Sequence, residues 1–372
     1  MKNQQKNNLR IIISGGGTGG HIFPAIAIAN ALKRVDENIE ILFVGANGRM
    51  EMEKVPAAGY DIKGLPITGL QRKLSFKNVI LIFKLLASLS KAKRIIRSFK
   101  PHAAVGVGGY ASGPVLRVAE KKGIPCLIQE QNSFPGVTNK LLAKNAKKIC
   151  VAYEGMDRFF PKEKIIITGN PVRQDLVNLN DKKEDGLRYF GLAGNKRILL
   201  IVGGSLGART LNESLLENLD ELIKNKVQVI WQTGKSYFKS AKDELSKYNT
   251  KDVKIFDFIA RMDLAYSVAD LVVSRAGAIT ISELCIVRKP AILVPSPNVS
   301  EDHQTKNAMA LINLNAAMMV SDADAKEKLV GEAIKLIKDD FRLQAYIENI
   351  SKMAVKNSAD IIANEILEMI NK

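Results

Sequence analysis

The stretch RIIISGGGTGGH (10–21) recurs in outline as RILLIVGGSLGAR (197–209). Each opens on an arginine, runs through a short apolar segment, breaks into glycines around a hydroxyl residue and passes into a helical pattern. A buried strand, a glycine turn and a helix, in that order, begin a parallel α/β sheet. Two such openings in one chain call for two sheets, and 372 residues suffice for two domains of about 100–200 residues each.

Both halves continue as short apolar runs separated by intervals long enough for a helix. IEILFVG (39–45), AAVGVGG (103–109), PCLIQE (125–130) and KKICVA (147–152) follow the first opening. VQVIWQTG (227–234), VKIFDFI (253–259), DLVVSR (270–275) and PAILVP (290–295) follow the second. Near-continuous apolar strands are what a sheet covered by helices on both faces requires. The expected class is therefore α/β, with two Rossmann-like, doubly wound domains. The polar link TGNPVRQDLVNLNDKKEDG (168–186) sets their bounds at 1–168 and 169–356. Three amphipathic stretches close the chain from about 325 to 371, and the last, about 357–372, is expected to cross back onto the first domain.

The net charge of +17 favours an anionic partner: nucleic acid, a lipid surface or a phosphorylated substrate. Residues 62–119 hold eleven Lys or Arg and no Asp or Glu. Within them, residues 72–100 interleave basic side chains with Leu74, Phe76, Val79, Ile80, Leu81, Ile82, Phe83, Leu85 and Leu86. That is more apolar surface than one core-facing stripe uses. The segment reads either as one lying in the headgroup region of an anionic membrane or as a core helix with a solvated basic face. Nucleic acid has less support, since no recognised binding motif occurs and aromatic residues make up only 6%. Cys126, Cys150 and Cys285 are dispersed and form no C-x-x-C, which points to a reducing compartment and to neither a disulfide framework nor a zinc site. The polar start MKNQQKNNLR lacks the apolar core of a signal peptide, and no run approaches the roughly 18 apolar residues of a membrane span.

A glycine turn between strand and helix presents backbone N–H groups and the positive end of the helix dipole, and so binds phosphate without a metal. Residues 15–20 and 203–207 therefore suggest one phosphate-bearing ligand per domain; otherwise both are tight turns and nothing more. Gly15, Gly17 and Gly20 also fit the dinucleotide pattern G-x-G-x-x-G. That pattern needs a carboxylate at the end of the second strand for the ribose hydroxyls. LFVGANG supplies none, with Asp36 and Glu37 before the strand and Glu51 beyond it, so a nicotinamide cofactor is disfavoured. No Lys-Ser or Lys-Thr follows the glycines, which argues against a Walker A loop. His21 ends the first loop. At a helix N-terminus the dipole disfavours the imidazolium, so a neutral ring can accept a proton near pH 7. General base, substrate positioning and a structural hydrogen bond are its three readings. His102, after Pro101, reads as structural and His303 as ambiguous. The one D-x-D, Asp322 and Asp324, precedes a helical run and reads as helix capping rather than metal binding.

Six segments carry a resemblance: GGTGGHIFPAIAIANAL (16–32), GVGGYASGP (106–114), QEQNSFPGVTNKLLAK (129–144), TGNPVR (168–173), GGSLGAR (203–209) and SRAGAITISEL (274–284). In that order and spacing the chain resembles the peptidoglycan N-acetylglucosaminyltransferases over nearly its whole length. The resemblance implies the GT-B fold, two Rossmann-like domains facing a cleft. It implies inverting transfer from UDP-N-acetylglucosamine to a polyprenyl-diphosphate-linked muramoyl pentapeptide, with no cofactor and no metal. It also implies a peripheral place on the cytoplasmic face of the cell membrane. On this resemblance His21 is the catalytic candidate and Tyr110 a functional position that binds acceptor. Thr18, Gly19 and Gly20 would take the acceptor diphosphate. Asn132, Arg173 and Ser205 would line the donor site, Ser205 on the donor phosphates and Arg173 stabilising the departing diphosphate with the loop amides. Ile259 would hold the uracil through its backbone. Ala278, Ile279, Thr280, Ile281, Ser282 and Glu283 would continue the pocket, Glu283 as ribose ligand, and Gln304 would reach the sugar hydroxyls. Many relatives carry two adjacent glutamines there; this chain has Gln304 then Thr305, which puts one sugar contact at issue. A different GT-B glycosyltransferase, a nucleotide-sugar epimerase and a non-catalytic nucleotide-sugar sensor are the alternatives.

Overall fold

The computed structural model describes residues 8–68, 77–204, 206–299 and 302–371. The chain divides into two compact units, Met1–Val172 with Asn357–Lys372, and Arg173–Lys356. The first unit alternates β1 (Arg10–Ser14), α1 (Gly19–Val35), β2 (Glu40–Ala46), α2 (Glu51–Ala57), β3 (Asp61–Leu65), α3 (Lys77–Phe99), β4 (Ala103–Gly106), α4 (Ser112–Lys121), β5 (Cys126–Glu130), α5 (Val137–Ala143), β6 (Lys148–Val151) and β7 (Ile165–Ile167). The second repeats the scheme with α6 (Lys183–Phe190), β8 (Ile198–Val202), α7 (Arg209–Glu217), α8 (Leu219–Lys224), β9 (Gln228–Gln232), α9 (Lys235–Leu245), β10 (Val253–Phe256), α10 (Met262–Val268), β11 (Leu271–Ser274), α11 (Ala278–Val287), β12 (Ala291–Leu293), α12 (His303–Ile312), β13 (Met318–Met319), α13 (Ala325–Ile337) and α14 (Asp340–Ser351). The chain then returns to the first unit as α15 (Ser358–Asn371).

The strand orders are β3-β2-β1-β4-β5-β6-β7 and β10-β9-β8-β11-β12-β13, with parallel pairing throughout. Successive strand residues point to opposite faces. In β1, Ile12 joins the core on one face while Ile11 and Ile13 join the other. In β8, Leu199 and Ile201 part from Ile198, Leu200 and Val202 in the same way. Both sheets are thus buried on both sides, and the α/β class with two doubly wound layers follows directly. In each sheet, strand addition reverses between two central neighbours, β1 and β4 in one and β8 and β11 in the other. Loops leaving such strands diverge, and a crevice opens at the strands' C-terminal ends. The two glycine turns leave β1 and β8, so each sits at such a crevice.

Helix α15 presents Ile362, Ala363, Ile366 and Met369 as one buried stripe. The stripe shares a core with Ile22, Ala25, Ile28, Ala29 and Leu32 of α1. Arg34 and Asp360 pair at 2.6 Å, and Lys148 pairs with Glu365 and Glu368. Helix α3 is divided along its length. Ser88, Ala92 and Ile96, one turn apart, are buried, whereas Ile82, Phe83, Leu85 and Leu86 are exposed, Phe83 at 68%. Residues 72–76 of the basic segment, and the side chains of 77–81, lie outside the described residues. Among the described residues no helix is long and apolar enough to cross a membrane. All three cysteines are buried and unpaired, and burial pushes each thiol up to about 12.

Truncating the α15 stripe tests how tightly the returning helix is held. Ile366→Ala should destabilise the protein by about 2–5 kcal/mol, read as a lower urea midpoint with the slope unchanged. A change below about 0.5 kcal/mol would mean the helix is only loosely docked.

Candidate active site

In the first unit, backbone packs on backbone at the crevice. A Cβ on Gly109 (φ +82°) would stand 2.4 Å from the Gly16 carbonyl oxygen, and one on Gly15 2.2 Å from the Val107 side chain. These glycines make room for the neighbouring chain. Gly17 (φ +88°) differs, since nothing lies within 4 Å of its Cβ position. Glu51, the first residue of α2, is 1% exposed. Its carboxylate accepts the Gly17 N–H and the Ala46 N–H, each at 2.9 Å. In sequence Glu51 only stands beyond the second strand, too far on to serve as a ribose-binding carboxylate at its end. Its spacing from Val55, one turn on and also buried, was the available signal.

Thr18 caps α1 in extended conformation, and His21 lies in the first turn. The His21 Nδ1 is 3.0 Å from the Gly16 oxygen and 3.4 Å from Thr18 Oγ1. A carbonyl only accepts, so Nδ1 carries the proton of that bond and, in the neutral ring, Nε2 holds the lone pair. Gly108 (φ +92°) lies alongside; a Cβ there would come within 2.8 Å of His21 Nε2 and Cδ2. Tyr110 follows on the same loop, 49% exposed. Thr18, Gly19, Gly20, His21 and the 108–110 loop are therefore gathered at one crevice. Asn132 belongs to this unit too, on the loop after β5. Its backbone N–H and Nδ2 donate to Glu130 Oε1 at 3.0 and 3.1 Å. Glu130 Oε2 accepts from Gly136 N–H at 3.2 Å and Asn139 Nδ2 at 2.8 Å, which pins the loop.

The second unit repeats the construction. A Cβ on Gly207 would stand 2.1 Å from the Thr233 oxygen, while Gly204 (φ +84°) has nothing within 4 Å. Ser205, between them, lies outside the described residues. Gln232 joins this loop to the next one: its Nε2 donates to the Gly204 oxygen at 2.8 Å and its Oε1 accepts the Ile259 N–H at 2.8 Å. The Ile259 N–H is thus used inside the protein. On α11, Ala278 and Ile281 are buried, and the side chains of Ile279, Thr280, Ser282 and Glu283 are partly exposed. Ile281 is a core residue, so only its backbone could serve a ligand.

Glu283 has unusual surroundings. Tyr266 donates its hydroxyl to Oε2 at 3.1 Å, and Arg173 Nε stands 4.0 Å from Oε1. Burial lifts the carboxyl to about 7, although Arg173 and Tyr266 both pull it down. The buried Tyr266 phenol is itself pushed well above its ordinary value. Asp175 Oδ1 is 3.6 Å from Arg173 Nε, too long for a hydrogen bond, and among the described residues the buried Nε and Nη2 have no hydrogen-bond acceptor. Native proteins rarely leave buried guanidinium donors unsatisfied, and the group that suits them is a phosphate or carboxylate.

Gln304 Oε1 accepts the Ser296 N–H at 2.9 Å, and Thr305 donates its hydroxyl to Asp302 at 2.7 Å. The residue standing in for a second glutamine is therefore engaged locally, at the head of α12. The D-x-D carboxylates depart from the capping expectation. Asp322 accepts from Arg275 and from Thr210 Oγ1, which ties the loop after β11 to α7. Asp324 holds the cap position of α13, yet its carboxylate makes no capping bond and instead meets Ser321 Oγ at 2.6 Å and Lys328 Nζ at 2.9 Å. Each carboxylate faces a cation, which is why neither needed the helix amides. Among the described residues no metal-ligating group of three side chains gathers. His102 Nδ1 accepts the Arg10 N–H at 3.0 Å, a structural bond.

The model of the glycosyltransferase family 28 N-terminal domain matches residues 11–151, and that of the family 28 C-terminal domain matches residues 198–364. A relative from Parabacteroides distasonis is 59% identical, over 98% of this chain and 99% of its own length. The chain belongs to glycosyltransferase family 28. That relative is named "UDP-N-acetylglucosamine--N-acetylmuramyl-(pentapeptide) pyrophosphoryl-undecaprenol N-acetylglucosamine transferase", as is one from Phocaeicola vulgatus, 58% identical over 99% of this chain and 98% of its own. Among solved structures, MurG of Acinetobacter baumannii is similar, with a TM-score of 0.76, 29% identity, and coverage of 97% of this chain and 99% of that one. The family 28 C-terminal match contains the second glycine turn and Glu283, and the N-terminal match contains the first turn, His21 and Tyr110.

The Glu283 environment makes stability depend on pH with a definite sign. Its folded pKa of about 7 lies above the ordinary 4.5, so the folded state holds the proton more tightly than the unfolded chain does. This contribution is fully favourable below pH 4.5, falls as pH rises towards 7, and is lost above it, a span on the order of 3 kcal/mol. Glu283→Gln removes the ionisation and keeps an acceptor for Tyr266. In denaturant titrations it should be more stable than the parent at pH 8, with the gain shrinking as pH falls to 5. A difference independent of pH would show that the carboxyl ionises normally.

Proposed function

We propose that this protein transfers N-acetylglucosamine from UDP-N-acetylglucosamine to a polyprenyl-diphosphate-linked N-acetylmuramoyl pentapeptide, with inversion and without a metal. The name shared by relatives 52–59% identical over nearly the full chain supports the donor, acceptor and reaction. The observation that carries the reading is the Arg173 and Glu283 pair. Guanidinium donors with no hydrogen-bond acceptor among the described residues suit a diphosphate, and a neighbouring, partly exposed carboxylate suits the two vicinal hydroxyls of a ribose. Neither a different GT-B transferase, an epimerase nor a sensor is favoured by these relatives.

The chemistry is a single displacement. The acceptor hydroxyl oxygen bonds to the anomeric carbon as the bond from that carbon to the β-phosphate oxygen breaks. The hydroxyl proton goes to His21 Nε2, and UDP leaves with the bonding electron pair. His21 suits the base because its Nδ1 is already committed to Gly16. Arg173 and the amides of the second glycine turn, Ser205 included, offset the charge growing on the leaving diphosphate. Glu283 holds the ribose, the Ile259 carbonyl faces the uracil, and residues 278–282 and Gln304 complete the donor pocket. Thr18, Gly19, Gly20 and Tyr110 hold the acceptor. The exposed Ile82, Phe83, Leu85 and Leu86, set among Lys84, Lys91, Lys93 and Arg94, support peripheral docking on an anionic leaflet at the cytoplasmic face, where a lipid-linked acceptor can be reached.

UDP release, followed with both substrates and excess EDTA, should proceed at the full rate. Loss of activity in EDTA would reinstate a metal. In the same assay His21→Ala should lower kcat by about 10²–10⁴-fold, the usual worth of a general base, while calorimetric UDP binding stays unchanged. Near-normal turnover would remove His21 from the base role. For the membrane, Phe83→Glu combined with Leu86→Glu should weaken sedimentation with anionic vesicles by at least about tenfold and leave the circular dichroism unaltered. Unchanged vesicle binding would assign the patch to another role.

A further inference from the structure

We infer that Glu51 is a positioning residue for His21 and acts on it through the single peptide group that links Gly16 and Gly17. This rests on His21 being the base. The carbonyl of that peptide group is Gly16 O and its N–H is Gly17 N. In a trans, planar amide these point in opposite directions. On one side the N–H donates to Glu51 Oε2 at 2.9 Å. On the other, the oxygen accepts from His21 Nδ1 at 3.0 Å. One rigid group therefore connects a buried carboxylate to the imidazole through two hydrogen bonds.

The carboxylate is held independently of the histidine. Its second oxygen accepts the Ala46 N–H at 2.9 Å, and the residue is 1% exposed. Space for it is reserved on both sides. A Cβ on Gly16 would stand 2.2 Å from Glu51 Oε1, and one on Gly45 2.5 Å from its Cγ. The peptide group by contrast is flanked by two glycines at positive φ, +152° and +88°, where rotation is cheap. Without an acceptor for its N–H, the group has no reason to keep its oxygen on Nδ1. Glu51 thus fixes the peptide, the peptide fixes the tautomer, and the tautomer leaves the lone pair on Nε2.

A charge effect adds to the geometric one. Hydrogen bonding at one end of an amide strengthens the bond at the other. When Nε2 takes a proton, the imidazolium is stabilised by a negative charge two hydrogen bonds away. The Nδ1 proton stays in place, so no proton crosses the amide. This is the office of the carboxylate in a histidine–carboxylate pair, with a peptide interposed. The other titratable groups nearby are engaged elsewhere. Arg34 pairs with Asp360 at the far end of α1, Tyr60 donates to Asn30, Lys54 pairs with Glu53, and Glu130 is taken up by its own loop. Tyr110 stands on the loop beside the ring.

Glu51→Gln keeps the volume but leaves one oxygen for two N–H groups. It should lower kcat by about 10–100-fold, the range for outer partners of functional histidines, with the KM for UDP-N-acetylglucosamine unchanged. The acid limb of the kcat profile should move to lower pH. Nitrogen NMR of the ring should show mixed tautomers for His21; only three histidines are present, and His21→Ala identifies its signals. In the His21→Ala background, Glu51→Gln should have no further effect on kcat. If Glu51→Gln does not fold, Glu51→Asp, which keeps the charge but draws it back by one methylene, should show the same ring changes. An unaltered His21 tautomer and pKa in the variant that folds, or a kcat loss that persists without His21, would overturn the inference. High turnover in His21→Ala would instead refute the base assignment, while the ring spectra would still decide whether Glu51 positions it.

Discussion

Everything at the two crevices depends on one steric constraint, the contact of backbone with backbone where strand order reverses. Gly109 rests on Gly16 in the first unit, and Gly207 rests on Thr233 in the second. A single Cβ in either place would enter a carbonyl oxygen, and no rotamer change can relieve a clash with main chain. The close approach brings the loop after β4 to the ring of His21, and the loop after β9 to the second glycine turn. Gly17 and Gly204 differ, since their Cβ positions face open space. Glycine-rich loops are usually read as room made for phosphate. Here the protein itself fills the space at Gly15, Gly109 and Gly207, while Gly17 and Gly204 keep open space beside the backbone.

That division explains which parts of the molecule were legible in the sequence. Ten strands follow from apolar runs because a doubly covered parallel strand must be apolar on both faces. β3, β7 and β13 escape that logic as strands at sheet edges. DIKGL has exposed positions at Asp61 and Lys63, and the other two are only three and two residues long. His21 was legible because a histidine at a helix start is rare and chemically pointed. Glu51 was not, since GRMEMEKV offers two acids at the head of one helix and nothing local says which is buried. Glu53 has a side chain 81% exposed, and only the one-turn spacing of Glu51 from Val55 separates them. Asp322 was misread for a related reason. Its partner Arg275 lies 47 residues away, and a short motif records only its neighbours.

The two units solve the same problem with different chemistry. In the first, the loop amide at Gly17 is already matched to a carboxylate, and the polarity of the crevice is settled before any ligand arrives. In the second, Arg173 has two buried donors with no hydrogen-bond acceptor among the described residues, only the more distant carboxylates of Asp175 and Glu283, and burial opposes the charge on Glu283. The first arrangement suits a base, which must hold one geometry through the reaction. The second suits a binding site, since its unsatisfied groups gain most when a complementary ligand enters.

The unfinished state of the second site has a thermodynamic corollary. A ligand that places a phosphate on Arg173 and two hydroxyls on Glu283 supplies what each lacks. Hydroxyl donors favour the ionised carboxylate, and so pull its pKa down from about 7. Binding and ionisation are then linked: the ligand prefers the deprotonated site, and near neutral pH the site must release part of a proton to receive it. Burial, by lifting the Glu283 carboxyl to about 7, leaves part of its charge neutralised near neutral pH, and paired hydroxyl donors would favour the carboxylate form in a way that a phosphate on Arg173 alone would not.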